Sequence, residues 1–289
     1  MKKNGISIVT LLVVVLALVF ASCTKDGVYK PKKKISKIYE TFVTDQASIK
    51  ELKESWTWDG KLLSKIEYGK DNVINFTYEK KQLKTVTNGH ERIELNYDDK
   101  GKYIDNFKMY YENELEATYT FEHGDKHLIT GYTIEFGSGM EPNKSARLVQ
   151  NVFRFLIPEI ADNEAAEYAK NANNGFKDGS KTTVTLTYDK KNVVEKVTTD
   201  GIFTTNYTYT YTDYLNPFYG LLDIDMSTGL SKNAVATMVI KESGSYDNTY
   251  SYTYKAEGKV PTQVTTIFSY NDGISTHTTT TITDYEFTK

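Results

Sequence analysis

The feature that most restricts this chain is a two-residue alternation that recurs along much of its length. Thr205-Asn206-Tyr207-Thr208-Tyr209-Thr210-Tyr211 alternates tyrosine with small polar residues, and Asn248-Thr249-Tyr250-Ser251-Tyr252-Thr253-Tyr254 does the same. Thr183-Val184-Thr185-Leu186-Thr187-Tyr188 alternates threonine with apolar side chains. Successive side chains of a strand point to opposite faces. Each segment therefore carries one apolar or aromatic face and one Ser/Thr face. β-Branched and aromatic residues also suit a pleated, half-buried surface. The alternation predicts strands.

A looser repeat lies over the alternation. Its unit is an aromatic residue or Leu, one spacer, an aromatic, a polar turn, and an apolar residue that opens the return strand. Trp56-Thr57-Trp58 leads to Leu62, Phe76-Thr77-Tyr78 to Leu83, and Leu95-Asn96-Tyr97 to Tyr103. Tyr119-Thr120-Phe121 leads to Leu128, Leu186-Thr187-Tyr188 to Val193, and Tyr252-Thr253-Tyr254 to Val260. Asp59-Gly60, Asp99-Lys100-Gly101, Gly124-Asp125 and Glu257-Gly258 supply turn chemistry where the unit needs it. Each unit reads as one hairpin, and neighbours in sequence pair in space. The expected fold is all-β: a large antiparallel meander over residues 35–289, forming a curved sheet, half-barrel or barrel as a single domain.

Two stretches break the pattern. Around 145–172 a small helical insertion is expected. Ser145 can cap a helix presenting Val149, Val152, Phe153 and Leu156, and Pro158 ends or kinks it. Asp162 can cap a second helix that closes at Asn173-Asn174-Gly175. This hairpin is placed at an open end of the sheet, as a plug. The second stretch runs from Leu215 through Asn216-Pro217-Phe218-Tyr219-Gly220-Leu221-Leu222-Asp223 to Ser231-Lys232-Asn233. Pro and Gly interrupt the strands there while large apolar residues persist, so it is expected to fold inward over the sheet end.

The N-terminus has its own logic. Lys2 and Lys3 precede an apolar run from Ile8 to Ala21, interrupted by Thr10. The run falls short of the roughly 18 apolar residues of a membrane span and reads as a signal peptide over residues 1–22. Phe20-Ala21-Ser22-Cys23 resembles the lipobox of bacterial lipoproteins, with Phe20 where Leu is usual. The resemblance implies acylation of Cys23, a membrane partner held through an N-terminal lipid anchor, and, with Thr24 next, the outer membrane. The periplasmic and extracellular faces both stay open. Residues 23–34 then form a lipidated linker, and Lys30-Pro31-Lys32-Lys33-Lys34 is a tether near anionic head groups. Removing residues 1–22 takes away two lysines and no acid, so the net charge of −3 becomes −5. That is no nucleic-acid footprint. With Cys23 the only cysteine, an intrachain disulfide is excluded and thiol catalysis is not expected.

The aromatic-turn meander, the two motifs Asn216-Pro217-Phe218-Tyr219-Gly220-Leu221-Leu222 and Leu230-Ser231-Lys232-Asn233, and the strand pair from Tyr250 to Val264 resemble an uncharacterised family. These are lipoproteins of gut-type Gram-negative bacteria that share a domain of unknown function with a porin-like fold. The resemblance covers residues 35–289 and implies the fold. It brings no activity, substrate or catalytic residue. Porin-like does not mean porin: a spanning barrel needs an outward apolar band on every strand, and here one strand face is Thr, Ser, Asn and charge. The chain also closes on Phe287-Thr288-Lys289 rather than on a terminal aromatic. The expectation is a soluble barrel or half-barrel.

Candidate chemistry is sparse. Of His90, His123, His127 and His277, only His123-Gly-Asp-Lys-His127 is closely spaced. A metal would need Glu122 or Asp125 as a third ligand, and a hairpin tip with exposed imidazoles explains the pair better. Asp223-Ile-Asp225-Met-Ser227-Thr-Gly229 places its Gly one position late for a calcium loop and lacks the closing Glu. No nucleophile elbow, phosphate loop or dinucleotide glycine pattern occurs. The sequence therefore names no catalytic residue, metal or cofactor, and the chain is not expected to be an enzyme. Its 23 Tyr, 13 Phe and 2 Trp can serve as sheet core or as platforms for sugar rings. The expected role is an outer-membrane-anchored, non-enzymatic domain that binds a glycan or protein, or a scaffold. The alternative is a periplasmic carrier or chaperone of lipid or protein with a half-barrel cavity. The lining discriminates: Tyr and Trp with polar groups favour glycan, continuous Leu, Ile and Phe favour lipid, and converging carboxylates favour hydrolysis.

Overall fold

The computed structural model describes residues 33–43, 48–69, 72–79, 82–101, 103–124, 128–137, 149–152, 181–200, 203–218, 231–242, 247–271 and 273–288. Within them run β1 (Ile35–Val43), β2 (Ser48–Asp59), β3 (Leu62–Tyr68), β4 (Asn72–Glu79), β5 (Gln82–Asn88) and β6 (Glu91–Tyr97). They continue as β7 (Ile104–Tyr111), β8 (Glu114–His123), β9 (Ile129–Phe136), β10 (Lys181–Asp189) and β11 (Asn192–Thr199). The last are β12 (Thr204–Leu215), β13 (Asn233–Glu242), β14 (Asn248–Glu257), β15 (Val260–Asn271) and β16 (Thr276–Phe287). Each pairs antiparallel with its sequence neighbours, and β1 pairs with β16. The meander thus closes into a sixteen-strand barrel. Closure leaves no strand edge unpaired.

The alternation reads out as an inward and an outward row on every wall. In β4 and β5, Ile74, Leu83 and Val86 are fully buried and Phe76 nearly so, while Asn75 and Thr77 face out. In β6, Ile93 and Leu95 point in, while Arg92 and Glu94, which alternate with them, point out. Each fully buried side chain of this size contributes about 1.5–3 kcal/mol. Outward positions pair across strands as threonines, as in Thr210–Thr237 at 2.6 Å, or along one strand as ion pairs such as Lys65–Glu67 of β3 at 2.9 Å.

A sixteen-strand barrel is wide enough to leave a channel. Large inward side chains fill this one. Phe107 stacks on Tyr119 with centroids 4.3 Å apart, and Phe121 tilts against both Phe107 and Tyr132 at 5.7 Å. The expected helical insertion supplies more filling. Its described part is the helical turn 149–152, whose Val149 and Val152 are buried in the same core. The Tyr68 hydroxyl donates to Asn151 Oδ1 at 2.8 Å and docks that turn on β3. Ser145, Phe153, Leu156, Pro158, Asp162 and Asn173-Asn174-Gly175 lie outside the described residues, as do Cys23 and the N-terminal segment.

The repeat acquires a physical meaning at one rim. The second aromatic of a unit ends an even-numbered strand and reaches back to a carbonyl at the start of the preceding strand. Trp58 Nε1 donates to Ile35 O at 2.7 Å, and the Tyr78 hydroxyl to Leu63 O at 2.9 Å. The Tyr97 and Tyr254 hydroxyls donate to Leu83 O and Val235 O, both at 2.7 Å. Tyr211 does the same to Val193 O. A bulge falls at or beside each of these residues and turns its side chain toward the rim. In β8 the reading of the repeat is corrected by two residues. Phe121 is core, and His123 is the residue that reaches back, with Nε2 2.8 Å from Ile104 O.

This rim is closed. The short turns joining β2–β3, β4–β5, β10–β11 and β14–β15 lie here, and so does the entry to β1. The described start of the stretch after β12 turns inward: Phe218 packs on Trp56 at 6.2 Å and edge-on to Tyr285 at 5.9 Å. Asn216 is buried beneath it, and the Val193 amide donates to Ser231 Oγ at 2.8 Å. Residues 219–230 lie outside the described set. The opposite rim is where the insertion leaves β9, and it is uneven. β3–β7 are 7 or 8 residues long, while β1, β2 and β12–β16 run to 9–12 and rise above the packed core.

Candidate functional site

The raised wall is where inward-facing side chains meet solvent. Cross-strand partners share a face, so pairing fixes what it displays. On β14 and β15 the inward residues are Tyr252 and Tyr250, then Thr266, Phe268 and Tyr270, with Phe268 opposite Tyr250. β16 continues with Thr283, Thr281, Thr279 and His277, placing Thr279 beside Phe268 and His277 beside Tyr270. β1 and β2 follow with Glu40 opposite Glu51 and Phe42 opposite Ile49. One face therefore passes from aromatic rings through threonine hydroxyls to carboxylates.

The rings form a continuous ladder. Tyr252 and Tyr250 stack at 6.4 Å, Tyr250 and Phe268 at 4.5 Å, Phe268 and Tyr270 at 5.6 Å, and Tyr270 and His277 at 4.8 Å. Their successive planes differ by 14–30°. The inner end packs on the core, while Tyr270 is 37% exposed and His277 is exposed. At the other side of the wall lies a cleft of about 450 Å³ lined by Glu40, Glu51, Lys53, Glu54, Tyr68 and Gln150. A bulge at β2 brings Lys53 onto the inner face, where its ammonium meets Glu51 at 2.8 Å and lies over the Phe42 ring. Glu54 is buried and accepts from Trp56 Nε1 at 2.7 Å.

The residues singled out in the sequence scatter. His123 is partly buried and held to a backbone carbonyl, so the exposed-imidazole reading of the hairpin tip fails for it: the β8 bulge turns its ring inward. Asp125, His127 and the Asp223–Gly229 segment lie outside the described residues. His90 sits on the β5–β6 turn beside Glu112, 3.5 Å away. Among the described residues no three His, Cys, Asp or Glu side chains converge to hold a metal. Trp56 and Trp58 share a face and pack together as core, with centroids 6.2 Å apart. The ladder itself was half visible. Tyr250 and Tyr252 stand out in the sequence, but Phe268, Tyr270 and His277 join them only through strand register.

Fold and rim together define a closed antiparallel barrel with a packed interior and an exposed inner face on one raised wall. A solved structure of a porin-like protein from Bacteroides uniformis shares this fold. It superimposes with a TM-score of 0.54 over 88% of this chain and 96% of that chain, at 13% sequence identity. No protein-family model matches the chain. No curated protein matches it either.

Proposed function

We propose that this chain is a non-enzymatic barrel, anchored to the outer membrane through acylated Cys23, that binds a glycan or protein ligand at its open rim. The observation that carries the reading is the split of the inner face. The barrel body is filled, among the described residues, by side chains such as Leu63, Ile66, Phe107 and Tyr119, each fully buried, which argues against a water-filled pore and against a carried lipid. The inner surface open to solvent is mostly aromatic, hydroxylated and carboxylate-bearing, with the exposed Phe42–Ile49 pair at its edge, and a mixed lining of this kind orients a polar ligand.

The outside supports a barrel that stands in water. Glu94, Lys108 and Glu195 occupy mid-strand outward positions, and Arg92 and Glu135 face outward near strand ends. A charge near a bilayer midplane costs up to about 2–4 kcal/mol on such a wall. The lipid anchor would supply the membrane attachment instead, since two acyl chains suffice to hold a protein stably. The chain enters β1 at the closed rim through Lys33 and Lys34, so a tether from Cys23 joins the barrel there and leaves the open rim facing away.

Replacing Cys23 with serine tests the anchor. Wild-type protein is expected to take up labelled palmitate and fractionate with outer membranes, and Cys23→Ser to lose the label and appear in the soluble fraction. A Cys23→Ser protein that stays in the membrane fraction to the same extent with residues 1–22 removed, as N-terminal sequencing would report, would show that the barrel wall itself holds it there.

A further inference from the structure

The aromatic ladder and the hydroxyl rows beside it match one ligand chemistry more closely than the rest. We infer that the inner face of the raised wall is a binding site for a neutral glycan chain, an assignment that rests on the open-rim reading above. A sugar ring has a flat face of C–H groups and an edge of hydroxyls. The near-parallel run Tyr252, Tyr250, Phe268, Tyr270 and His277 offers stacking surface from the core out to the rim. Core packing alone gives no reason to continue such a run to a tyrosine 37% exposed. Threonine hydroxyls flank the rings at fixed cross-strand positions, Thr279 beside Phe268 and Thr266 between Tyr252 and Thr281. They can donate to or accept from sugar hydroxyls. Beyond them the Glu40–Glu51 pair closes the face with acceptors that bind hydroxyl donors strongly.

The same features disfavour other occupants. A lipid chain laid along the wall would strip water from the threonines and carboxylates and return no hydrogen bond. An anionic glycan or a nucleic acid would meet Glu40, Glu51 and Glu54 in the cleft and Glu112, Asp200 and Glu242 around the rim. Lys53 is already engaged with Glu51. A neutral chain can use the stacking surface and the acceptors together.

The test takes the full-length protein, expressed with its N-terminal segment and extracted in mild detergent. Binding is measured by calorimetry to three probes: neutral cello- and xylo-oligosaccharides, oligogalacturonate as the anionic counterpart, and phosphatidylethanolamine–phosphatidylglycerol vesicles. Neutral oligosaccharides are expected to bind, and Tyr270→Ala and Phe268→Ala to weaken that binding at least about tenfold, as truncation of an anchoring aromatic does. Tyr270→Phe keeps the ring and is expected to keep most of the affinity. Melting temperatures report whether each variant is folded, and Thr253→Ala on the outward face serves as a control expected to bind as wild type. Binding of oligogalacturonate in preference to the neutral chains overturns the inference, as does neutral binding that Tyr270→Ala and Phe268→Ala leave unchanged. Failure of every glycan, together with binding of vesicles or of a protein that Tyr270→Ala abolishes, removes the glycan assignment while the open rim stands as a binding surface. Failure of all probes and of any rim-dependent partner removes both.

Discussion

Replacing Phe107 with alanine is expected to lower the unfolding free energy by about 3–5 kcal/mol, the range for deleting a buried aromatic ring. Phe107 is fully buried, stacks on Tyr119 at 4.3 Å and tilts against Phe121 at 5.7 Å. The walls that carry these rings are tied into a closed hydrogen-bonded ring by their neighbours on both sides, so they can move little to fill the gap. The loss then includes a cavity as well as a transfer cost. Urea unfolding followed by tyrosine fluorescence and far-UV circular dichroism measures it, as a lower midpoint at unchanged slope. A loss under about 1 kcal/mol would mean that Phe107 faces a water-filled bore rather than a core.

The second large effect is alkaline. Burial pushes the hydroxyls of Tyr78, Tyr97 and Tyr254 well above the ordinary tyrosine range, and the neighbouring Tyr97 adds to the rise at Tyr78. The folded state therefore holds these protons more tightly than the unfolded chain does. That contribution is fully present below about pH 10, where unfolded tyrosine begins to ionise. It is lost progressively as pH rises above that value toward the folded pKa. Each pKa unit of displacement contributes about 1.4 kcal/mol per group. Stability measured between pH 8 and pH 12 is thus expected to hold up to about pH 10 and to fall steeply beyond it. Replacing Tyr78, Tyr97 and Tyr254 together with phenylalanine is expected to flatten the fall, at the cost of three carbonyls left without their donors. An equally steep alkaline loss in the triple variant would place its origin elsewhere.

Period and turn chemistry made the strands and their antiparallel order legible. The alternation at Thr205–Tyr211 and Asn248–Tyr254 assigns faces without any knowledge of partners. Closure was not legible, because β1–β16 pairing joins residues at opposite ends of the chain and leaves no local mark. The open choice among sheet, half-barrel and barrel follows from that. The bulges were equally silent. One extra residue shifts which side chain faces in, so the rim residue of β8 is His123, two beyond the Phe121 of the repeat, and Lys53 joins the inner face. Gly131 shows another limit. Within β9 it reads as a weak strand residue, yet an added Cβ would lie 2.6 Å from the Val184 carbonyl oxygen, so the close approach of β10 requires glycine there. The ladder depends on the register of β14, β15 and β16 together, and no stretch of sequence contains it.

The barrel proposed above has a packed interior and outward rows that face water, with its attachment to the membrane left to the lipid anchor. Spin labels on cysteines introduced singly at outward Thr85, Thr208 and Thr253, in protein reconstituted on lipid vesicles, test it most directly. Each label is expected to collide freely with a water-soluble nickel chelate and weakly with oxygen dissolved in the bilayer. Strong oxygen collisions with little access to nickel along these rows would place the wall in lipid and contradict the account.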